Sequence, residues 1–311
     1  MRNAFADEIT RIGREDERVV LLSGDIGNKL FDRFKEAAPG RFYNCGVAEA
    51  NMMGVAAGMA LCGLRPVVYT ITPFTTTRCF EQIRVDVCYH RAPVVIVGTG
   101  SGLSYADLGP THHSLEDLAI LRTLPEMTVL APADSIELRL ALRQALRLNR
   151  PVYMRIGKKG EPLVHAQEPE FEIGRAITVR GGTDVCLIGT GVMVAVVLDA
   201  AKLLAQRGVS ARVDSFHTIK PLDVERLAEI FSRYGLVAVA EEHGRIGGLA
   251  GAVAEWLAAQ DSPSGRLLAF GTGDAFMHEI GSQRYARLKF GLTAENIAAQ
   301  VTANLRARCE T

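Results

Sequence analysis

The chain has 311 residues, with 35 Lys plus Arg set against 35 Asp plus Glu, six cysteines and one tryptophan. That length suits two medium domains with a substantial core, and the balanced charge gives no global field to attract nucleic acid or an anionic membrane. No run of about 18 apolar residues offers a membrane span, and the six cysteines (45, 62, 79, 88, 186, 309) show no C-x-x-C spacing. They read as free, mostly buried thiols of a cytoplasmic protein, not as a disulfide or zinc framework; the start, Met1-Arg2-Asn3-Ala4-Phe5, lacks the apolar stretch of a signal peptide.

Short apolar runs at 19–22, 42–45, 66–70, 93–97, 128–131 and 152–156 read as strands. Helical spacing covers 29–37, 49–62, 76–89, 115–122 and 134–148 between them. Strands that are apolar throughout and alternate with helices indicate a parallel sheet covered on both faces. The stretch 157–180 breaks the rhythm with Gly157-Lys158-Lys159-Gly160-Glu161-Pro162 and a charged segment around Glu168-Pro169-Glu170, so it reads as a linker with room for one short strand. Alternation then restarts: strands at 184–188, 210–215, 236–240 and 267–270, helices at 192–207, 223–233, 247–259 and 293–307. The expected fold is α/β with two domains, each a mostly parallel sheet flanked by helices: 1–160, a linker at 161–182, and 183–311. Trp256, on the 247–259 helix, reads as packing.

One acidic residue stands out. The segment Gly46-Val47-Ala48-Glu49-Ala50-Asn51-Met52-Met53-Gly54 places Glu49 at the start of a helix otherwise built of Ala, Gly, Met and Val. So small and apolar a helix is expected to be buried, and a buried carboxylate is expensive unless neutralised or bonded. Glu49 is therefore either a capping group in the first turn of a packing helix or a proton donor or acceptor to a ligand nitrogen.

Five motifs carry a family resemblance. Ser23-Gly24-Asp25-Ile26-Gly27, Gly46-Val47-Ala48-Glu49-Ala50-Asn51, Glu81-Gln82-Ile83-Arg84-Val85-Asp86 and Gly109-Pro110-Thr111-His112-His113 resemble, in that order, the pyrimidine-binding domain of transketolases. Glu241-Glu242-His243-Gly244, with Gly247-Gly248, is similar to the C-terminal domain that transketolases share with 1-deoxyxylulose-5-phosphate synthases and the beta subunits of 2-oxo acid dehydrogenases. The resemblance spans nearly the whole chain. It implies thiamine diphosphate as cofactor, its aminopyrimidine held by one domain and its diphosphate by another through Mg²⁺. The Gly-Asp-Gly and downstream Asn that mark the diphosphate half have near matches in Gly24-Asp25-Ile26 and Gly273-Asp274-Ala275, but neither carries the Asn. The resemblance thus implies one subunit of a split enzyme. The Mg²⁺ ligands come from a separate N-terminal-type transketolase subunit, in an α2β2 assembly with a homodimeric core.

The resemblance also assigns roles. Glu49 bonds the aminopyrimidine nitrogen and supplies the proton relay; Asp25 lies with the cofactor; Phe74, or else Phe80, stacks on the ring. His112 acts on the substrate carbonyl, with His113 beside it and His243 reaching in from the second domain. Arg155 and Arg2 match anion-binding arginines, although either can instead pair with a structural carboxylate. Arg84 and Asp86 read as structural ion pairs, and His90, His165, His217 and His278 as structural or solvent-exposed. Two departures bear on substrate: Leu108 stands where transketolases have Asp, and Gly100 where they have a phosphate-contacting His. The leading expectation is transfer of a two-carbon ketol unit from a ketose-type donor, a small sugar or sugar phosphate, to an aldehyde. The alternatives are the beta subunit of a decarboxylating enzyme, either synthase-like or a 2-oxo acid dehydrogenase, and a non-catalytic assembly subunit.

Overall fold

The computed structural model describes residues 1–261 and 265–309; the side chain of Cys309, expected as a free thiol, lies outside them. In chain order the strands are β1 (Val19–Ser23), β2 (Phe42–Asn44), β3 (Arg65–Ile71), β4 (Val95–Thr99), β5 (Thr128–Leu130), β6 (Val152–Ile156), β7 (Ile177–Arg180), β8 (Val185–Gly189), β9 (Ala211–Ser215), β10 (Thr218–Lys220), β11 (Leu236–Gly244) and β12 (Arg266–Thr272). They form two sheets, ordered β10-β5-β6-β4-β3-β1-β2 and β12-β11-β8-β9-β7. Only the edge strands β10 and β7 run antiparallel.

The continuous apolar runs are explained by two-sided burial. Val20, Leu22, Val68 and Ile96 join one core cluster, while Val19, Leu21, Val67 and Val95 join another on the opposite face. Each such side chain contributes about 1.5–3 kcal/mol on burial, so neither face tolerates a polar substitution. Strand β4 begins two residues after the expected position, because Pro93 has no N–H to give to a neighbouring strand. The first core cluster also contains Cys186, Ile188, Val237 and Val239 of the second sheet, so the halves share apolar packing.

Four findings go beyond the sequence expectation. A helix spans Arg2–Glu15, where the spacing predicts none; Phe5, Ile9 and Ile12 form its buried stripe. Its Glu8 is buried against Arg11 at 2.6 Å and Arg143 at 2.7 Å. Strand β10 belongs to the second half of the chain, yet it pairs with β5 of the first sheet. The expected linker is fastened to the first half: Asp134 accepts from the backbone N–H groups of Val164 and His165, and Gln144 bonds Phe171 and Ile173. A short helix, Gln283–Lys289, forms where the pattern gives no periodic signal. No helix among the described residues is long and apolar enough to cross a membrane.

The parallel register brings the carboxyl ends of three central strands together, with Ile71 beside Thr99 and Thr99 beside Ile156. Ligands of open parallel sheets bind at that edge, where the following loops converge. Here the converging pieces are the turn Thr72–Thr75, the loop from Gly100 to His113, Lys158 after β6, and the helix that starts at Glu49.

Candidate active site

Glu49 is the first residue of the helix Glu49–Leu61 and is 4% exposed. The positive end of the helix dipole favours a negative group there. Its Oε2 accepts from Arg78 Nη1 at 2.9 Å. The same guanidinium lies over the Phe74 ring, 4.0 Å from its centroid. Phe74 is carried by the turn Thr72–Thr75, with Pro73 in its first positions. The Thr72 hydroxyl ties that turn to the next loop through Ser101 Oγ at 2.8 Å.

His112 stands edge-on to Phe74, with centroids 5.3 Å apart, and also to Tyr105 at 5.9 Å. The Thr111 hydroxyl bonds its Nδ1 at 2.9 Å, so Nε2 is the nitrogen left for a ligand. Burial lowers the His112 pKa, Asp107 offsets part of this, and the Arg78 charge lowers it further. The ring is therefore neutral near pH 7 and can both donate and accept.

Glu49, Phe74 and His112 thus meet in one cluster: Glu49 and His112 come from the motifs, and Phe74 is the aromatic that the resemblance calls for. Three further members escape sequence reasoning. Arg78 bridges Glu49 and Phe74. Tyr105 fills the space above Gly100, whose φ is +71° and where an added Cβ would fall 1.9 Å from the Tyr105 ring. Only glycine fits there, so Tyr105 leaves no room for a histidine at position 100. Lys158 Nζ lies over the same ring, 4.0 Å from its centroid. The Tyr105 phenol is pushed up by burial and partly brought back by Arg2 nearby.

Of the other expected residues, Arg2 borders the cluster at Tyr105 and the rest lie elsewhere. Arg2 lines a cavity of about 240 Å³ with Gly27, Lys29 and Tyr69, and its Nε is buried with no protein partner. Asp25 is exposed after β1, bonded by Asn44 at 3.3 Å. Phe80 packs against the core, which leaves Phe74 as the aromatic beside Glu49. His113 lines a different cavity, of about 610 Å³, shared with Glu116, Arg245, Asp274 and Phe276. Its Nε2 is buried without a partner, and burial lowers its pKa.

Two of the expected residues are bonded within the protein. Arg155 is buried, its Nε on Asp117 at 2.8 Å and its Nη2 on the carbonyls of Ser114 and Glu242 at 2.9 and 2.8 Å. It acts as a cross-link, because the buried Asp117 beside it demands a counter-ion. His243 is fully buried; its Nδ1 donates to the Gly244 carbonyl at 2.7 Å and its Nε2 accepts from Ala119 N–H at 3.3 Å. Both ring nitrogens are thus bonded to backbone groups.

The motif containing His243 proves to be a clamp between the halves. Glu241 caps the helix Leu249–Ala258 by accepting from the N–H groups of Leu249 and Ala250 at 2.7 and 2.9 Å. Glu242 accepts from Leu103 N–H at 2.7 Å and is bonded by Gln283 and Arg287. The loop bearing Tyr105 and His112 is therefore anchored from the second sheet. Among the described residues, no three His, Cys, Asp or Glu side chains group closely enough to hold a metal ion.

Residues 1–161 match the model of the transketolase pyrimidine-binding domain, and residues 174–297 that of the transketolase C-terminal domain. The 6-deoxy-6-sulfo-D-fructose transketolase subunit SqwH of Clostridium sp. (strain MSTE9) is 39% identical over 298 residues, covering 96% of this chain and 92% of that protein. An apulose-4-phosphate transketolase subunit of Phocaeicola vulgatus is 35% identical, covering 84% of this chain and 85% of its own. A 1-deoxy-D-xylulose-5-phosphate synthase of Geobacter sulfurreducens is also 35% identical, over 98% of this chain but 48% of that protein. Among solved structures, a split gene transketolase described as an inactive beta4 tetramer superposes with a TM-score of 0.90 at 37% identity, covering 98% of both chains. With both halves matched and Glu49 and His112 of those motifs seated at the carboxyl edge of the first sheet, this chain belongs to the transketolase family, spanning its pyrimidine-binding and C-terminal domains.

Proposed function

We propose that the chain is the pyrimidine-side subunit of a thiamine diphosphate-dependent enzyme that moves a two-carbon ketol unit from a ketose-type donor to an aldehyde. A separate subunit completes the site with the diphosphate pocket and the Mg²⁺ ligands, in an α2β2 assembly. The observation that carries this reading is the meeting of Glu49, Phe74 and His112. A nearly buried carboxylate next to an aromatic face fits an aminopyrimidine ring, because a flat nitrogen-bearing group, the Arg78 guanidinium, already satisfies both.

The cofactor supplies the nucleophilic carbon and the electron sink. Glu49 holds the ring nitrogen and exchanges a proton at Oε2. Phe74 orients the ring by stacking and keeps water from that face. His112, neutral and tethered by Thr111, presents Nε2 to the substrate carbonyl oxygen, where it gives or takes a proton as charge develops. Lys158 and Arg2, both beside Tyr105, suit an anionic sugar, in keeping with the sulfonated and phosphorylated sugars in the relatives' names. Five free cysteines among the described residues suit a reducing cytoplasm.

The assembled complex tests this reading by deuterium exchange at the thiazolium carbon of bound thiamine diphosphate. Exchange is expected in the wild type and in His112→Ala, and is expected to vanish in Glu49→Gln. Exchange lost in His112→Ala but kept in Glu49→Gln would reverse the roles. The identity to a 1-deoxyxylulose-5-phosphate synthase favours a decarboxylating donor as the second reading. Release of CO₂ from a 2-oxo acid donor would select it.

A further inference from the structure

The most unusual side chain in the cluster is Arg78. It belongs to none of the motifs, yet it touches both groups that a cofactor ring would need. It donates to Glu49 Oε2 at 2.9 Å while its Cζ lies 4.0 Å from the centroid of Phe74. A guanidinium is flat, carries in-plane N–H donors and stacks on aromatic faces. It therefore makes both contacts, stacking and a hydrogen bond to the carboxylate, that the proposed ring would make.

Exposure separates the two partners. Arg78 is 44% exposed and Glu49 is 4% exposed. The arginine sits on the short turn Thr77–Cys79, four residues beyond Phe74, so its long stem folds back across the ring. Arg78 can return to water at small cost, because an exposed guanidinium keeps most of its hydration. Glu49 has no such route, and a buried carboxylate stripped of its partner is strongly unfavourable. The carboxylate therefore needs an occupant, and the arginine provides one that can leave.

We propose that Arg78 is a displaceable cap on the cofactor site: without the ring its guanidinium lies on Phe74 and pairs with Glu49, and ring entry drives it out to solvent. This rests on the functional reading above, since it takes the ring's place to be the space between Glu49 and Phe74. The cap keeps the carboxylate satisfied while the site is empty and makes cofactor binding a competition against a tethered side chain. Its cost appears as lost cofactor affinity.

The test is calorimetric titration of thiamine diphosphate, with Mg²⁺, into the complex assembled with its partner subunit. Arg78→Ala is expected to tighten binding by roughly three- to thirty-fold, the range of one exposed ion pair plus one cation–π contact. Arg78→Lys, which keeps the charge but loses the flat stacked geometry, is expected to fall between. The cofactor-free chain should melt at a lower temperature in Arg78→Ala, with the gap closing when the complex is saturated with cofactor. Unchanged or weaker affinity in Arg78→Ala would overturn the cap and make Arg78 a bystander or a cofactor ligand. A wild-type complex that takes up no thiamine diphosphate would overturn the functional reading itself, an outcome distinct from failure of the cap alone.

Discussion

Glu49 and Glu242 are both buried carboxylates near strand ends, but their surroundings are opposite. Glu242 accepts from the Leu103 backbone and is bonded by Gln283 and Arg287, so it is held by three groups belonging to the fold. Among the described residues Glu49 has one side-chain partner, and that partner is half in solvent. A buried charge matched entirely by fixed groups stabilises one arrangement of the chain. A buried charge matched by a removable group keeps its bonding capacity for something that arrives later. Burial alone does not distinguish the two roles; the exposure of the partner does.

The sharpest way to break this contrast is Glu49→Gln. Turnover by the assembled complex should fall about 10²- to 10⁴-fold, the range for a general acid–base group, with little change in melting temperature. Activity within about threefold of wild type would return Glu49 to the role of a helix cap. The reciprocal substitution, Glu242→Ala, should act on stability: removing one side of a buried, hydrogen-bonded charge costs about 3–5 kcal/mol, read by denaturant unfolding. A stable Glu242→Ala protein with altered turnover alone would erase the distinction.

Acid sensitivity gives a smaller effect at the same clamp. Burial pushes the Asp117 carboxyl up, but Arg155, with His243 and the Tyr153 hydroxyl, outweighs it and holds it below the ordinary value. With a folded pKa depressed below the unfolded value of about 3.9, its contribution is complete above that pH and is lost as pH falls through the folded value. Melting temperatures between about pH 3 and pH 6 should therefore drop less steeply in Asp117→Asn than in wild type; parallel curves would remove Asp117 from the account. The smallest expected effect is at Arg84, whose exposed pairing with Glu81 at 2.8 Å should be dispensable. Arg84→Ala should leave both melting and turnover unchanged, and a clear loss in either would show that the site extends along that helix.

Much of the architecture was legible because two-sided burial writes itself as uninterrupted Val, Leu and Ile. The helix Arg2–Glu15 was not, since Asp7, Glu8, Arg11, Arg14 and Glu15 dilute its stripe, and Glu8 is buried only because arginines from 139 and 143 come to meet it. Strand β10 is three residues long and is stabilised by β5, far away in sequence, so local pattern carries no trace of it. The site divides in the same way. Glu49 and His112 could be named because residue type and motif agree, and Phe74 because it is an aromatic on a loop leaving a strand. Arg155 and His243 matched their motif but were claimed by neighbours, Asp117 and the Ala119 and Gly244 backbone, that only the packed chain reveals. Arg78, Tyr105 and Lys158 have no motif; they acquire meaning from a ring or a carboxylate brought beside them.

The bond from Glu242 to Leu103 gives the two halves a shared inheritance. The loop that carries Tyr105 and His112 takes its position from side chains encoded much later, since Glu242 stands 139 positions beyond Leu103. A recombinant that joins the first half of this chain to the second half of a relative will keep Tyr105 and His112 and still misplace them unless the acceptor of that N–H comes along. Substrate range in such chimeras should therefore follow the carboxylate and its Gln283 and Arg287 supports, and selection acting on the loop must act on all of them together.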